Sequence, residues 1–349
     1  MKAKVKIGII GMGFGANVHL PVFSSMKDVE VYAILANDLT KLKSIANQYN
    51  ISYYYNRFDD FLKLDLDAIS IALPPLVSEQ YCEKILDKDI PILIEKPLAS
   101  TYKKAIKLYK KSKNKIAMID FQFVEIEAFK VLYNIIKNKK YGNVKNVQVV
   151  WQVESWAQKN KKWSWKTDKD QGGGVLSLLA AHFFYLIEYY FGRTKEIFAK
   201  IDNSNTIEFS YNRDKAAEDL VFIYLKSYSN INISAVIGNS CPGGIGHRWE
   251  IITDQGTIIL HNKTKDYMAG FELKFRNNNL KEKILFRDEV LNDIDGRIEP
   301  FKKIAERFIE AVKKRDTSLL YPNFNDALRV QNLISMVFLS SQKNKIINI

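Results

Sequence analysis

The residues with the plainest chemical use are the small ones at Gly11-Met12-Gly13-Phe14-Gly15-Ala16, a G-x-G-x-x-A turn. Gly11 lets the backbone turn tightly, Gly13 lets it approach a pyrophosphate, and the small Ala16 lets a following helix pack close to the strand. The bound anion then rests on free N–H groups at a helix N-terminus, with Phe14 and Gly15 inside the same turn. A second stretch, Ala36-Asn37-Asp38, decides how an adenosine ribose is held. A site for NAD usually ends its second strand with an acid that binds the ribose 2′-hydroxyl. Here Ala36 holds that place, Asp38 follows two residues later, and Lys41 lies one helical turn beyond Asn37. The missing negative charge and the nearby cation favour the 2′-phosphate of NADP, with NAD as the alternative.

These residues need a parallel sheet to hold them. Val5, Ile7, Ile9 and Ile10 form a short apolar run that reads as a buried parallel strand and leads straight into the glycines. Helices are expected at about 16–26, 40–49, 78–86 and 102–112, and strands at 29–35, 68–73, 92–94 and 116–119. A Pro74-Pro75 turn follows the third strand, and Glu95-Lys96-Pro97 follows the fourth. This alternation predicts an α/β Rossmann domain with a doubly wound parallel sheet over residues 1–119. From Asp120 the pattern changes. A helix at 126–137 and a strand at 147–154 precede a loop rich in tryptophan, with Trp156, Trp163 and Trp165. The next helix begins at Gly172-Gly173-Gly174 and ends before Gly192, a natural residue to follow a helix. Strands are then expected at 206–211, 220–226, 232–237, 248–253, 257–261 and 271–275, and helices at 300–314 and 325–341. Residues 120–349 thus read as a second, α+β domain with an open, mainly antiparallel sheet, whose last helices can pack back on the first domain.

With 349 residues, 47% of them hydrophobic, the chain can bury a large core in two domains. Its 52 Lys and Arg against 39 Asp and Glu give a net charge of +13. The lysines are spread along the chain, so a nucleic-acid partner is not expected, although the field favours anionic ligands. Cys82 and Cys241 make neither a disulfide framework nor a metal-ligand spacing, which suits a reducing cytoplasm and no metal. The first fifteen residues imitate a signal peptide, but glycines interrupt the apolar run, and an N-terminal strand is expected instead. No apolar stretch is expected to cross a bilayer.

Several longer words occur in a particular order: GMGFGANVHLP at 11–21, EKPLA at 95–99, WKTD before GGGVL at 165–176, and His182 in the helix that follows. GHRWEIITDQGTIIL stands at 246–260 and PNFNDALRVQNLI at 322–334. In these words the chain resembles the Gfo/Idh/MocA oxidoreductases, the group of glucose-fructose oxidoreductase and inositol dehydrogenase, over nearly its whole length. The resemblance implies a nicotinamide cofactor and self-association through the second sheet as a homodimer or homotetramer. It places Leu73 and Pro74 along the cofactor, and Glu95, Lys96 and Pro97 around the nicotinamide. It marks Lys96 as catalytic, an ammonium able to hydrogen-bond a sugar hydroxyl and steady the developing alkoxide. It makes His182 a general acid or base. Trp163 and Trp165 are candidates to stack on a sugar ring beside Lys96 and His182.

The departures are as informative. Where the family keeps an aspartate four residues before the histidine, this chain has Leu178, and its second aspartate is Tyr185, whose hydroxyl becomes a candidate donor. Ala180 replaces an expected glycine and Ser78 an expected histidine. On a helix beginning near Gly174, Leu178, His182 and Tyr185 are spaced i, i+4 and i+7 and are expected to share one face. The function implied is hydride transfer to or from a secondary carbon of a sugar or nucleotide-linked sugar. The alternative is a catalytically silent cofactor-binding sensor of the same fold.

Overall fold

The computed structural model describes residues 4–264, 266, 268–289 and 295–349. The first sheet contains β1 (Val5–Ile10), β2 (Val29–Leu35), β3 (Tyr53–Tyr55), β4 (Ala68–Ile71), β5 (Ile92–Glu95) and β6 (Ala117–Asp120). All are parallel, in the order β3-β2-β1-β4-β5-β6. β4 is buried throughout and β1 nearly so, because helices cover both faces of such a sheet. The strand order reverses between β1 and β4, the place where open α/β sheets leave a crevice for ligands.

The second sheet contains β7 (Val144–Gln152), β8 (Thr194–Asp202), β9 (Leu220–Ser227), β10 (Asn232–Gly238), β11 (Gly246–Thr253), β12 (Gly256–Asn262), β13 (Phe271–Asn277), β14 (Glu282–Arg287) and β15 (Ile347–Asn348). Its order is β14-β13-β12-β11-β7-β10-β9-β8-β15, antiparallel except where β7 and β10 pair in parallel. Along β11 buried residues alternate with half-exposed ones, so one face of the sheet is core and the other is not. Trp151, Trp249, Phe129, Phe183 and Phe271 fill that core.

The chain forms two compact units. The first takes residues up to Gln122 together with Arg297–Arg329, and the second takes Phe123–Gly296 together with Val330–Ile349. The helix Ile298–Lys314 therefore belongs to the first unit. Its Phe301, Ile304 and Phe308 are fully buried in the same core as Val18, Leu20 and Phe23.

Three local expectations need correction. The strand expected at 206–211 is a short helix, Ser204–Glu208. Asp219 holds it by accepting from the Thr206 backbone N–H at 2.8 Å and from its hydroxyl at 3.0 Å, and these side-chain bonds override the β-branched composition. The strand in this region is the earlier β8, whose interrupted alternation hid it. Second, Lys169–Phe191 is long and apolar enough to cross a membrane by length and composition, but its most apolar window is 72% buried inside the protein, as in a core helix. Third, the helices after both glycine turns do not begin as α-helix. Gly15–His19 and Leu176–Ala180 are π-helical turns, followed by α-helix at Leu20–Ser25 and Ala181–Phe191. The regular α-helical face expected to join Leu178 to His182 is thus interrupted, since a wider turn changes the angle between successive residues.

Candidate active site

In the first unit the candidate residues gather at the carboxyl ends of adjacent strands. β1 runs into Gly11, whose φ of +97° suits glycine, and a Cβ there would lie 2.3 Å from the Ala72 carbonyl oxygen just beyond β4. Gly11 is therefore required by the turn itself. Gly13 differs, because among the described residues, its chain neighbours aside, a Cβ built on it meets no atom within 4 Å. The fold does not itself require glycine there, and the open backbone is compatible with a cradle for a pyrophosphate. The Arg297 guanidinium lies 4.9 Å from the Phe14 ring centre, bringing a cation to the same turn that the sequence pattern does not flag.

At the end of β2 the Ala36 N–H bonds to the Tyr55 carbonyl, and no carboxylate stands at that position. The Asp38 side chain caps the helix Leu39–Tyr49 by accepting from the Lys41 N–H at 3.0 Å. Lys41 folds back, and its Nζ donates to the Met12 carbonyl at 3.2 Å, inside the glycine turn. Asn37 is exposed beside it, while Leu73 and Pro74 are partly exposed just beyond β4.

Glu95 ends β5, and Lys96 and Pro97 follow. Buried Glu79 holds the segment after them, accepting from the Ser100 N–H at 2.8 Å and its hydroxyl at 2.9 Å, and pairing with Lys104. Glu95 faces His19, which is fully buried at the end of the first π-helical turn. His19 Nε2 lies 3.2 Å from Glu95 Oε1, and Nδ1 lies 2.8 Å from the Ser70 hydroxyl on β4. With Nε2–H donating to the carboxylate, Nδ1 accepts from Ser70. The ring stacks on Phe301 at 4.1 Å between centres. Asp120, at the end of β6, is the residue in register with Glu95 and is fully buried. Gln122 Nε2 donates to its Oδ2 at 3.0 Å.

Burial, then the charge of Glu95 and a hydrogen bond with it, push the Asp120 carboxyl well above the ordinary aspartate range. For Glu95 burial acts upward, but the hydrogen bonds from His19 and Asp120 and the nearby charge of Lys96 outweigh it and leave the carboxyl lowered. One oxygen or nitrogen from each of His19, Glu95 and Asp120 lies within 4.8 Å of the others, a spacing a metal ion could use. The positive charge of Lys96 beside these groups opposes a cation, and a shared proton suits them better.

In the second unit, His182 and Tyr185 are buried on the helix Ala181–Phe191. His182 lies 4.5 Å from the Phe123 ring and belongs to an aromatic cluster in which Trp151 stacks on His247 at 4.1 Å. Trp249 Nε1 donates to His247 Nε2 at 2.7 Å, and burial with the charge of His261 lowers the His247 pKa to about 3. His247 is therefore a neutral acceptor in the core. Trp163 and Trp165 are both half-buried; Trp163 packs edge-on against Tyr211 at 4.8 Å, and Lys166 lies 5.9 Å from the Trp165 ring centre. Lys96 and His182 fall in different units, and each is described within its own.

Glu218 caps the second π-helical turn, its Oε1 accepting from the Leu176 N–H at 3.1 Å. A Cβ on Gly174, where φ is +103°, would come within 2.1 Å of that oxygen, so the third glycine makes room for the carboxyl. Burial, reinforced by the charge of Asp219 against opposing backbone hydrogen bonds, raises the Glu218 pKa from 4.5 to about 7. The folded protein holds this proton more tightly than the unfolded chain. The resulting stability is complete below the ordinary glutamate range and is lost as pH rises through about 7. Each tenfold gain in proton affinity is worth about 1.4 kcal/mol, so the loss is on the order of 3 kcal/mol. Glu218→Gln keeps an acceptor for Leu176, so urea unfolding across this pH range should lose most of that slope in the variant.

The sequence pattern alone does not single out His19, Asp120, Glu79 or Arg297 for the site. His19 is visible within the word GMGFGANVHLP, but only the fold brings it to Glu95.

Residues 5–121 match the oxidoreductase family's NAD-binding Rossmann fold, and residues 134–349 match its C-terminal alpha/beta domain. An uncharacterized oxidoreductase of Synechocystis is 25% identical over 324 residues, which cover 89% of this chain and 87% of that one. The human glucose-fructose oxidoreductase domain-containing protein 2 is 22% identical, with 83% and 74% covered. Among solved structures, levoglucosan dehydrogenase in complex with NADH and L-sorbose superposes with a TM-score of 0.83 at 17% identity, covering 99% of each chain. Aldose-aldose oxidoreductase from Caulobacter crescentus, complexed with glycerol, gives 0.81 at 15% identity, covering 99% of this chain and 100% of that one. With both of its domains matched, and its glycine turn and EKP segment at one edge of a parallel sheet, this chain belongs to the Gfo/Idh/MocA family of NAD-binding oxidoreductases.

Proposed function

We propose that the protein is an NADP-preferring oxidoreductase acting on a secondary carbon of a sugar or nucleotide-linked sugar. The observation that carries this reading is Lys96 at the end of β5, on the same sheet edge as the open glycine turn after β1. Relatives of the same fold whose names specify sugars support the substrate class. When bound, the nicotinamide supplies or accepts the hydride. Gly11, Gly13, Phe14, Gly15 and Ala16 hold the pyrophosphate, and Glu95, Lys96 and Pro97 frame the reactive ring. Lys96 donates a hydrogen bond to the substrate oxygen and steadies its negative charge, and His182 exchanges the proton, with Tyr185 as a further donor. Trp163 and Trp165 offer ring faces to the sugar. Turnover of NADPH with a panel of keto-sugars, and of NADP with the matching alcohols, tests the reading; no turnover with any member rejects it.

For the coenzyme, Lys41 is the deciding side chain. Asp38 is engaged as a cap, no acid stands at position 36, and the Lys41 ammonium is held at the glycine turn. A charge-assisted contact to a 2′-phosphate contributes about 1.5–3 kcal/mol, so Lys41→Ala should lower the NADPH:NADH affinity ratio by at least about tenfold. Calorimetric titration of both coenzymes checks this, and a wild type that prefers NADH overturns the NADP assignment.

Leu178, in place of a carboxylate, favours a second reading: a cofactor-binding sensor without turnover. Ternary binding of NADPH and a sugar with no change in either would select it. For assembly we propose a homodimer or homotetramer through the outer face of the second sheet, where Val150, Phe222, Tyr224 and Val236 line an apolar groove and Phe222 is 48% exposed. Phe222→Asp should then shift the sedimentation coefficient toward a monomer. We place the protein in the cytoplasm, with no nucleic-acid or membrane partner.

A further inference from the structure

Parallel strands set residues in register side by side with their side chains on the same face. β5 and β6 pair Glu95 with Asp120, so the sheet itself brings two carboxyl groups together at its carboxyl edge. Asp120 is fully buried, and the Glu95 side chain is only 12% exposed. Among the described residues, His19 from the π-helical turn lies 3.2 Å from Glu95, the charge of Lys96, the residue after β5, acts on both carboxyls, and Phe301 of the helix Ile298–Lys314 stacks on His19. Glu95 Oε1 is engaged by His19 and Asp120 Oδ2 by Gln122. Asp120 Oδ1 is buried, and no N–H or hydroxyl donor among the described residues reaches it. A hydrogen held between that oxygen and Glu95 satisfies it and removes the repulsion of two adjacent buried anions.

We propose that Asp120 is a positioning residue for Lys96: Asp120 and Glu95 share one proton, and the charge of this pair is coupled to the charge of Lys96. The proposal rests on the reading of Lys96 as the proton-handling group, but its core concerns the protein without cofactor or substrate. The coupling is reciprocal. If the ammonium of Lys96 eases ionisation of the pair, the pair holds the proton on Lys96 by the same free energy. A pair with one proton carries a single negative charge, and a second ionisation makes Lys96 harder to deprotonate. The pair thereby sets the pH at which Lys96 can change charge.

Infrared spectroscopy of the full chain without ligands tests this. The difference spectrum between wild type and Asp120→Asn at about pH 7 should contain the carbonyl stretch of a protonated carboxylic acid, because the amide replaces the shared hydrogen without replacing its titration. Recording both in a Glu218→Gln background removes the buried Glu218 carboxyl, whose pKa is raised to about 7. In Lys96→Met the pH at which the band disappears should rise, by about one pH unit for a tenfold coupling. Absence of the band from the difference spectrum overturns the shared proton. A band whose midpoint is the same in Lys96→Met overturns the coupling. Because no turnover is measured, these outcomes are independent of the proposed reaction: the band and its shift in a protein that turns over no sugar would uphold the pair and reject the enzyme.

Discussion

Gly13→Val should unfold like wild type on heating yet lose its affinity for a nicotinamide dinucleotide. The two outcomes separate because of where the side chain goes. Among the described residues, its chain neighbours aside, no atom lies within 4 Å of a Cβ at position 13, so the fold tolerates the substitution, and a branched side chain instead occupies the space in which a pyrophosphate would meet the backbone. A clash of this kind costs several kcal/mol, and about 2.7 kcal/mol already corresponds to a hundredfold. Calorimetry with NADPH and NADH measures it, and unchanged affinity rejects the glycine turn as the binding site. Gly11→Ala is the contrasting control. With φ at +97° and the Ala72 carbonyl 2.3 Å away, it should destabilise the protein before any ligand is added.

Lys96→Ala and His182→Ala should each lower turnover by about 10²–10⁴-fold while leaving coenzyme affinity nearly unchanged. Neither side chain belongs to the glycine turn, and each is assigned to the proton rather than to the pyrophosphate. The relevant measurement is kcat alongside coenzyme Kd for each variant. His182→Ala opens a cavity beside Phe123, so His182→Gln should accompany it to separate lost chemistry from lost packing. Tyr185→Phe removes only a hydroxyl and should cost less. Full activity in both His182 variants would make that residue a core histidine, and full activity in Lys96→Ala would remove the residue on which the proposed reaction depends.

The first sheet is legible in the sequence except for β3, because its other strands are largely apolar and its turns carry glycine or proline, which are local properties, whereas β3 is three largely exposed tyrosines. The same legibility holds for Tyr102–Ser112, where the Thr101 cap and a regular apolar spacing start and sustain the helix. Long-range pairing is less accessible. β8 alternates too irregularly to stand out, and the segment after it looks like a strand until Asp219, further along the chain, captures Thr206. The helix Ile298–Lys314 has an apolar face that names no partner residue, and the folded chain sets it against Val18, Leu20 and Phe23.

The chemistry divides in the same way. The glycine turn, the absence of an acid at Ala36, and the order of Glu95, Lys96 and Pro97 are all written in the chain, because each depends on near neighbours. No local pattern shows that Lys41 reaches back to Met12, nor that Gly11 and Gly13 are small for different reasons. The set of His19, Ser70, Glu95 and Asp120 exists only in the folded chain. The register of β5 and β6 puts two carboxyl groups side by side, and a π-helical turn ends at the imidazole that faces them. Strand register and helix rotation are fixed by packing over the whole sheet, so residues separated by 101 positions meet only once the chain has folded around them.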